Sequence, residues 1–190
     1  MNMLNLWLLG LPFALVSTIA GAAPTLQVSN AGLGDAKFGM NVESVEKALG
    51  ANLSFGQKDD KAGISKLKCA YARIDGVSGA SLRFEYGRMT VAIIDKPTVA
   101  TKSGFKVGDP ESVVINKFKG DPTYRRQSGQ YDEATKEIYL GSAKIVGKDQ
   151  QGRWQGQLIK FTSQRGVVTA IEAGEASYIM LVEHEEDCQP

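Results

Sequence analysis

Hydrophobic residues recur at helical spacing in two short segments of the chain. In the first, Val42, Val45 and Leu49 lie three or four residues apart, between Asn41 and Gly50. Asparagine is a favoured N-cap, and glycine is favoured as the left-handed residue that ends a helix. The pattern therefore predicts a helix of two or three turns. Because so short a helix is not stable alone in water, its apolar side must pack on another element.

The second segment repeats this arrangement in the second half of the chain. Asp109 is the expected N-cap, and Pro110 is the expected first helical residue. The preceding glycine, the apolar positions and the closing glycine are Gly108, Val113, Val114, Phe118 and Gly120. A glycine, Gly39, also precedes the first segment.

Each predicted helix is followed by runs of β-branched and aromatic residues, which predict β-strands. In the first half these runs cover residues 66–74, 81–86 and 89–95. In the second half they cover residues 138–142, 157–163, 167–173 and 178–182. Turns are expected at Gly87-Arg88 and at Gln164-Arg165-Gly166. Residues 51–63 and 121–136 are polar and are expected to form loops.

The order of helix and strands is the same in both halves, which indicates an internal repeat. Aligning the two hairpins pairs Phe84 with Phe161, and an insertion of roughly eight residues in the second half accounts for the spacing. We expect an α+β fold of two similar units that form one compact body, residues 23–100 and residues 101–190. In each unit a short helical segment packs on an antiparallel β-meander.

The N-terminal segment predicts export. Residues 1–22 carry no charge, include an apolar stretch from Leu4 to Ile19, and end in small residues. This is typical of a secretory signal peptide, with cleavage expected after Ala22. The segment lacks basic residues at its start, so an uncleaved anchor is the alternative. No later run is long and apolar enough for a membrane span, and the expected location is the bacterial periplasm or the medium.

The charge balance narrows the range of partners. There are 22 Lys and Arg residues against 21 Asp and Glu residues, a net charge of +1. Such a balance gives no general attraction to nucleic acid or to anionic lipid. We therefore expect neither as a partner, and the oligomeric state stays open.

The two cysteines, Cys69 and Cys188, both lie in the predicted mature chain. In an oxidising compartment a pair of cysteines in a small exported protein is expected to form a disulfide. In the chain-entropy model, closing a loop of this length stabilises the fold by about 5 kcal/mol.

Catalytic chemistry has little support in the sequence. The one histidine, His184, lies in an acidic stretch with Glu183, Glu185 and Asp187, and no Gly-x-Ser-x-Gly motif is present. A metal site there would lack a second histidine. The adjacent acids Asp59-Asp60 and Asp132-Glu133 are typical of solvated loops, and Gly32-Leu33-Gly34 lacks the context of a phosphate loop. We expect a protein that is not an enzyme and holds neither a metal nor a cofactor.

Aromatic and basic residues are concentrated between the second helix and the last hairpin. Tyrosine, tryptophan and arginine are the usual anchors of protein interfaces. The candidate binding residues are Tyr124, Arg125, Arg126, Tyr131 and Trp154. The alternative for Tyr131 and Trp154 is that they complete the hydrophobic core.

The stretch FGMNVESVEKALG, residues 38–50, resembles a motif of the SmpA/OmlA envelope lipoproteins and of the tandem β-lactamase-inhibitor-protein fold. That motif has an apolar residue, Gly-Met-Thr, a short helix and Leu-Gly. The resemblance implies two helix-plus-sheet units side by side. It also implies a non-catalytic, exported protein that binds another protein, such as an inhibitor or immunity-type protein acting on an envelope enzyme or toxin. The alternatives are a structural accessory of cell-envelope assembly and an envelope hydrolase.

Overall fold

The computed structural model describes residues 26–56, 61–129, 134–141, 147–148 and 154–180. The first part contains β1 (Gln27–Ser29), β2 (Gly32–Leu33), β3 (Ala36–Lys37), α1 (Val42–Leu49), β4 (Leu53–Ser54), α2 (Lys61–Ile64), β5 (Cys69–Ile74), β6 (Ala80–Glu85) and β7 (Arg88–Ile94). The second contains β8 (Ala100–Thr101), α3 (Glu111–Phe118), β9 (Arg125–Ser128), β10 (Thr135–Gly141), β11 (Gly147–Lys148), β12 (Trp154–Gln155), β13 (Gln157–Gln164), β14 (Val167–Glu175) and α4 (Ala176–Met180).

One large sheet organises the molecule. It has eight strands in the order β4-β5-β6-β7-β14-β13-β10-β9, and every neighbouring pair is antiparallel. Each half of the chain contributes four strands, and the halves meet where β7 pairs with β14. The predicted α+β class is confirmed.

A second, four-stranded sheet has the order β3-β2-β1-β8. Its strand β8 pairs in parallel with β1, so the first strand of the described residues lies beside a strand from the middle of the chain. The predicted boundary between residues 100 and 101 falls inside β8. The division into two units stays a prediction.

The main core lies on one face of the large sheet. Its sheet residues include Phe84 and Phe161, which are almost completely buried. Val45 of α1, Val114 of α3 and Val28 of β1 pack into the same core. Both longer helices and the small sheet therefore cover this face, and they leave the other face of the large sheet turned away from them.

Helix α1 has the caps that the sequence predicts, whereas helix α3 begins differently from the prediction. The Asn41 side chain caps α1 by accepting a hydrogen bond from Ser44 N at 2.9 Å, and Gly50 is left-handed with φ 62°. Helix α3 instead has Pro110 at its N-cap, so the prediction of Asp109 was wrong. The reason is that the Glu111 N–H, which such a cap would bind, donates to Gly166 O at 2.8 Å.

Both long hairpins turn through two residues of positive φ. These are Tyr86 and Gly87, at 48° and 74°, and Arg165 and Gly166, at 52° and 80°. Positive φ at both central residues matches the right-handed twist of the strands. The first turn thus lies one residue earlier than predicted. The two turns are 79 positions apart, whereas the sequence alignment of Phe84 with Phe161 uses an offset of 77.

The same bulge follows each turn. An extra residue, Thr90 in β7 and Thr169 in β14, shifts the register of the strand against its hairpin partner. The Thr90 hydroxyl donates to Arg83 O at 3.3 Å, and the Thr169 hydroxyl donates to Thr162 O at 3.2 Å. In each hairpin the threonine side chain thus bonds a carbonyl beside the bulge, where the ladder is locally disrupted.

The glycine before each helix also makes the same contact in both halves. Gly39 N donates to Met89 O at 2.7 Å, and Gly108 N donates to Val168 O at 2.8 Å. Their φ values are 89° and 96°. These contacts attach the start of each helix to the hairpin of its own half. They agree with an internal repeat, which itself stays a prediction.

Three segments differ from the sequence-based expectation. The predicted strand over residues 178–182 was wrong at residues 178–180, which belong to α4, and residues 181 and 182 lie outside the described residues. Strand β14 already has neighbours on both sides, and the helical turn places Ala176 and Ile179 against the sheet. The stretches expected to be loops contain β4, most of α2, β9 and the first two residues of β10. Strand β9 was missed because all four of its side chains are exposed and polar, without the alternation that marks a half-buried strand.

Candidate protein-binding face

The face of the large sheet that points away from α1 and α3 is called here the open face. Side chains alternate between the two faces along each strand, so residues beside the core positions belong to the open face. Of the described elements, α4 packs on it, through Ala176 and Ile179 against Val91, Tyr139 and Leu158.

One row of directly paired residues crosses the open face from edge to edge. Residues in register on neighbouring strands share a face, so their side chains stand side by side. At about 4.8 Å between strands the row is roughly 34 Å long. This central row consists of Ser54, Arg73, Ser81, Ile93, Glu172, Lys160, Tyr139 and Arg125.

The central row combines apolar, aromatic and charged groups. Arg73 and Arg125, near its ends, are exposed, and Ile93 in the middle is half-buried. Lys160 and Glu172 form an ion pair at 2.8 Å, with 13% and 25% of their side chains exposed. Because the ion pair is partly shielded from water, it holds both side chains in place. Both side chains still reach the surface.

Tyr139 is held in place by a small polar network. Its hydroxyl donates to Glu137 Oε2 at 2.7 Å, and Gln127 Nε2 donates to the same carboxylate oxygen at 3.0 Å. Burial, with the hydrogen bond to Glu137, raises the pKa of the Tyr139 phenol. The phenol therefore stays protonated and acts as a donor rather than as a base.

Beside the central row lies a polar cluster, formed by the buried residues Arg83 and Glu85 and the half-buried residues Glu175 and Tyr178. The Arg83 guanidinium donates through Nε and Nη2 to Glu85 Oε1, at 3.0 and 2.6 Å, and both side chains are less than a tenth exposed. The guanidinium also lies 5.3 Å from the centre of the Tyr178 ring in α4. Burial, and secondarily Glu85, raises the pKa of the Glu175 carboxyl. The cluster ties α4 to the sheet.

The structure separates the predicted binding residues. Arg125 belongs to the central row, whereas the adjacent Arg126 points to the opposite face and pairs with Glu111 of α3 at 2.8 Å. The hydrogen bond from Arg126 to Glu111 raises the pKa of Arg126. Tyr124 is half-buried against the main core. Tyr131 lies outside the described residues, and Trp154 lies in β12, where it pairs with Lys148 of β11.

Several other candidates fall outside the part of the chain that the structure describes. They are Asp59, Asp60, Asp132, Glu133, His184 and Cys188. Cys69 begins β5 and is 8% exposed. Because Cys188 is not among the described residues, the disulfide between the two stays a prediction. Among the described residues no group of three or more His, Cys, Asp or Glu side chains could hold a metal ion.

The sequence reasoning missed the open face because it considered clusters along the chain. Ser81, Arg83 and Glu85 alternate with Leu82 and Phe84 in β6, and this alternation was a usable signal. It marks polar positions on the face away from the core. The alternation does not predict the register that aligns one residue from each of eight strands in the central row.

The comparisons with known proteins assign no family. No protein-family model matches the chain, and no curated protein sequence matches it. The uncharacterized protein yfeY from Escherichia coli is similar in structure, with a TM-score of 0.42 and 12% identity, over 78% of this chain and 99% of that one. An extracellular protein containing a SCP domain from Bacillus anthracis str. Ames has a TM-score of 0.45 and 7% identity, over 86% of this chain and 50% of that one. This chain thus spans about half the length of that protein, and neither similarity assigns a function.

The helices of the described residues are short. None of them is long and apolar enough to cross a bilayer.

Proposed function

We propose that the protein is exported and binds another protein through the open face of its large sheet. The partner would be an envelope enzyme or a toxin, which the protein inhibits or neutralises. The observation that carries the proposal is the central row, which places a half-buried isoleucine and both signs of charge on neighbouring strands, with an exposed arginine near each end.

The composition of the row fits a protein interface better than a catalytic site. Protein interfaces combine apolar and aromatic anchors with a polar rim, and a standard one covers about 800 Å² on each partner. A row roughly 34 Å long is large enough for such a patch. The partly shielded ion pair between Lys160 and Glu172 would help to select a partner of complementary charge.

The rigidity of the open face supports the same proposal. Six of its eight strands are paired on both sides, and the core beneath them contains the T-shaped pair of Phe105 and Phe161, whose ring centres are 6.0 Å apart. Side chains that are already fixed lose little conformational entropy on binding. Such a face suits a tight, preformed contact.

Export and a disulfide belong to the same proposal. Removal of residues 1–22 would release the mature chain, and a bridge from Cys69 to Cys188 would attach the C-terminus near β5. Mass spectrometry of the protein from its own cells tests both points. Cleavage after Ala22 and thiol alkylation only after reduction are the expected results. A retained N-terminus or thiols that react without reduction would contradict this part.

Pull-down with matched variants tests the binding face. Tagged mature protein carrying Arg73→Glu and Arg125→Glu reverses the charge at two exposed positions of the central row. The control carries Lys47→Glu and Lys117→Glu, two exposed positions on α1 and α3. We expect the control to retain the wild-type partner and the open-face variant to lose it, with similar urea unfolding for both.

The identity of the retained protein separates the possible roles. A single enzyme or toxin whose activity falls when wild-type protein is added supports an inhibitor. Retention of outer-membrane assembly components would favour an accessory of envelope assembly. Equal retention by the two double variants would contradict binding through the open face.

A further inference from the structure

A cleft of about 430 Å³ lies on the side of the molecule away from the open face, between α1 and the small sheet. This volume is within the range of small-molecule sites. Leu26, Ala48 and Leu49 line it with apolar surface. Its polar lining consists of Gln27, Ser29, Gly34, Asp35, Lys37 and Lys102.

The backbone around the cleft is fixed by hydrogen bonds. Gly34 N donates to Gln27 O at 2.8 Å, and Lys102 N donates to Val28 O at 2.8 Å. Gly34 has φ 55°, and a Cβ there would lie 2.9 Å from Leu26 Cδ1 and 3.8 Å from Leu49 Cδ2. The absence of a side chain at Gly34 thus leaves space between the two leucines.

The charges around the cleft favour an anion. Lys37 and Lys102 are both exposed, and they outweigh the one carboxylate, that of Asp35. Between described residues, neither lysine side chain forms an ion pair. Two ammonium groups beside an apolar wall match a ligand with a carboxylate at one end and a hydrocarbon body.

We propose that this cleft binds an amphiphilic carboxylate, with the carboxylate between Lys37 and Lys102 and the apolar body on Leu26, Ala48 and Leu49. A short fatty acid and the C-terminus of a peptide with an apolar last residue share this chemistry. The site is independent of the proposed protein-binding face, because it is built from elements that cover the other side of the sheet.

Octanoate is the first probe, and NMR of the isotope-labelled mature protein is the measurement. We expect saturable shifts of the amide signals of Gln27, Gly34 and Leu49. Octanamide, which has no charge, should bind more weakly than octanoate. N-acetyl-leucyl-leucine, tested beside its C-terminal amide, distinguishes the two sources of the carboxylate. If the natural ligand is a peptide C-terminus, the dipeptide should bind at least as tightly as octanoate. If it is a fatty acid, the dipeptide should bind more weakly than octanoate.

Four variants sharpen the test. Lys37→Gln and Lys102→Gln should each weaken octanoate binding about two- to fivefold, as expected for exposed charges. Ala48→Phe should abolish it by filling the cleft. Lys47→Gln, which removes a charge from the same helix outside the cleft, should have no effect. Equal binding of octanoate and octanamide, shifts centred elsewhere, or no saturable shift would overturn the proposal.

Discussion

Two ion pairs of the open face differ in how far they are exposed to water. Arg83 and Glu85 are nearly inaccessible to water, whereas Lys160 and Glu172 are only partly shielded. A buried pair is costly to break because the remaining charge loses its partner in a medium of low polarity. A partly exposed pair is worth less, since water screens it.

Removing Arg83 should therefore destabilise the fold strongly. We expect Arg83→Met to lower the free energy of unfolding by about 3 to 5 kcal/mol, because it removes the guanidinium that makes two hydrogen bonds to the buried Glu85 carboxylate. Adding Glu85→Gln should restore part of the loss. Urea unfolding of the two single variants and the double variant measures the coupling, and losses that simply add would contradict a stabilising ion pair.

The raised pKa of Glu175 gives a prediction with a defined sign. A carboxyl whose pKa is higher in the folded protein is penalised when ionised, so stability falls as pH rises above the unfolded value near 4.5. Glu175→Gln should therefore raise the urea midpoint at pH 7 and leave it unchanged at pH 4 or below.

The matched comparison is Glu172→Gln, which removes the partner of Lys160 and should lower the urea midpoint at pH 7. Opposite signs for two glutamates of the same strand would show that their surroundings decide the effect. A drop in the midpoint of Glu175→Gln at pH 7 would contradict the assigned burial cost.

Among the helices and strands, the two halves share a helix, a hairpin and the contact between them. Much of this could be predicted from the sequence, because caps and two-residue turns depend on local chemistry. Asn41, Gly50 and the glycine of each turn all occur where local rules place them. Helix α4 could not be predicted in this way, because it forms where the sheet has no room for another strand.

Gly39 and Gly108 should be equally sensitive to substitution. Both have positive φ, and a Cβ added at either position would meet nothing within 4 Å, so the cost of alanine comes from the backbone alone. We expect each Gly→Ala change to lower the free energy of unfolding by at least about 1 kcal/mol.

Gly120 is the matched control, since its φ lies outside the left-handed region and its surroundings are also open. Gly120→Ala should be neutral or slightly stabilising, because alanine restricts the unfolded chain. A large difference between the Gly39 and Gly108 variants, measured by urea unfolding, would weaken the case for an internal repeat.

Across the described residues, α1, α3 and the small sheet cover one face of the large sheet, and α4 packs on part of the other, the open face. The sequence predicts the fold class from alternation and helical spacing. It does not give the order of the strands, and it therefore cannot show that Arg73 and Arg125 stand at opposite ends of one row. The sequence also places Arg125 and Arg126 together, although neighbours on a strand point to opposite faces.

The edge strands of the large sheet are poorly suited to pairing with a partner's strand, which agrees with binding through the open face. Strand β4 has two residues, and strand β9 has four exposed residues, including two arginines. Short or charged edge strands oppose pairing with another chain. A partner is therefore expected to contact side chains on the open face rather than to add a strand.

Photo-crosslinking in the cells that make the protein is the strictest test of binding through the open face. A photoreactive residue is placed at Arg73 or Arg125 on the open face, or at Lys47 or Lys117 on the helix side. We predict a crosslinked product of the same mass from both open-face positions and none from the helix-side positions. Crosslinks from the helix-side positions alone, or none from any position, would contradict binding through the open face.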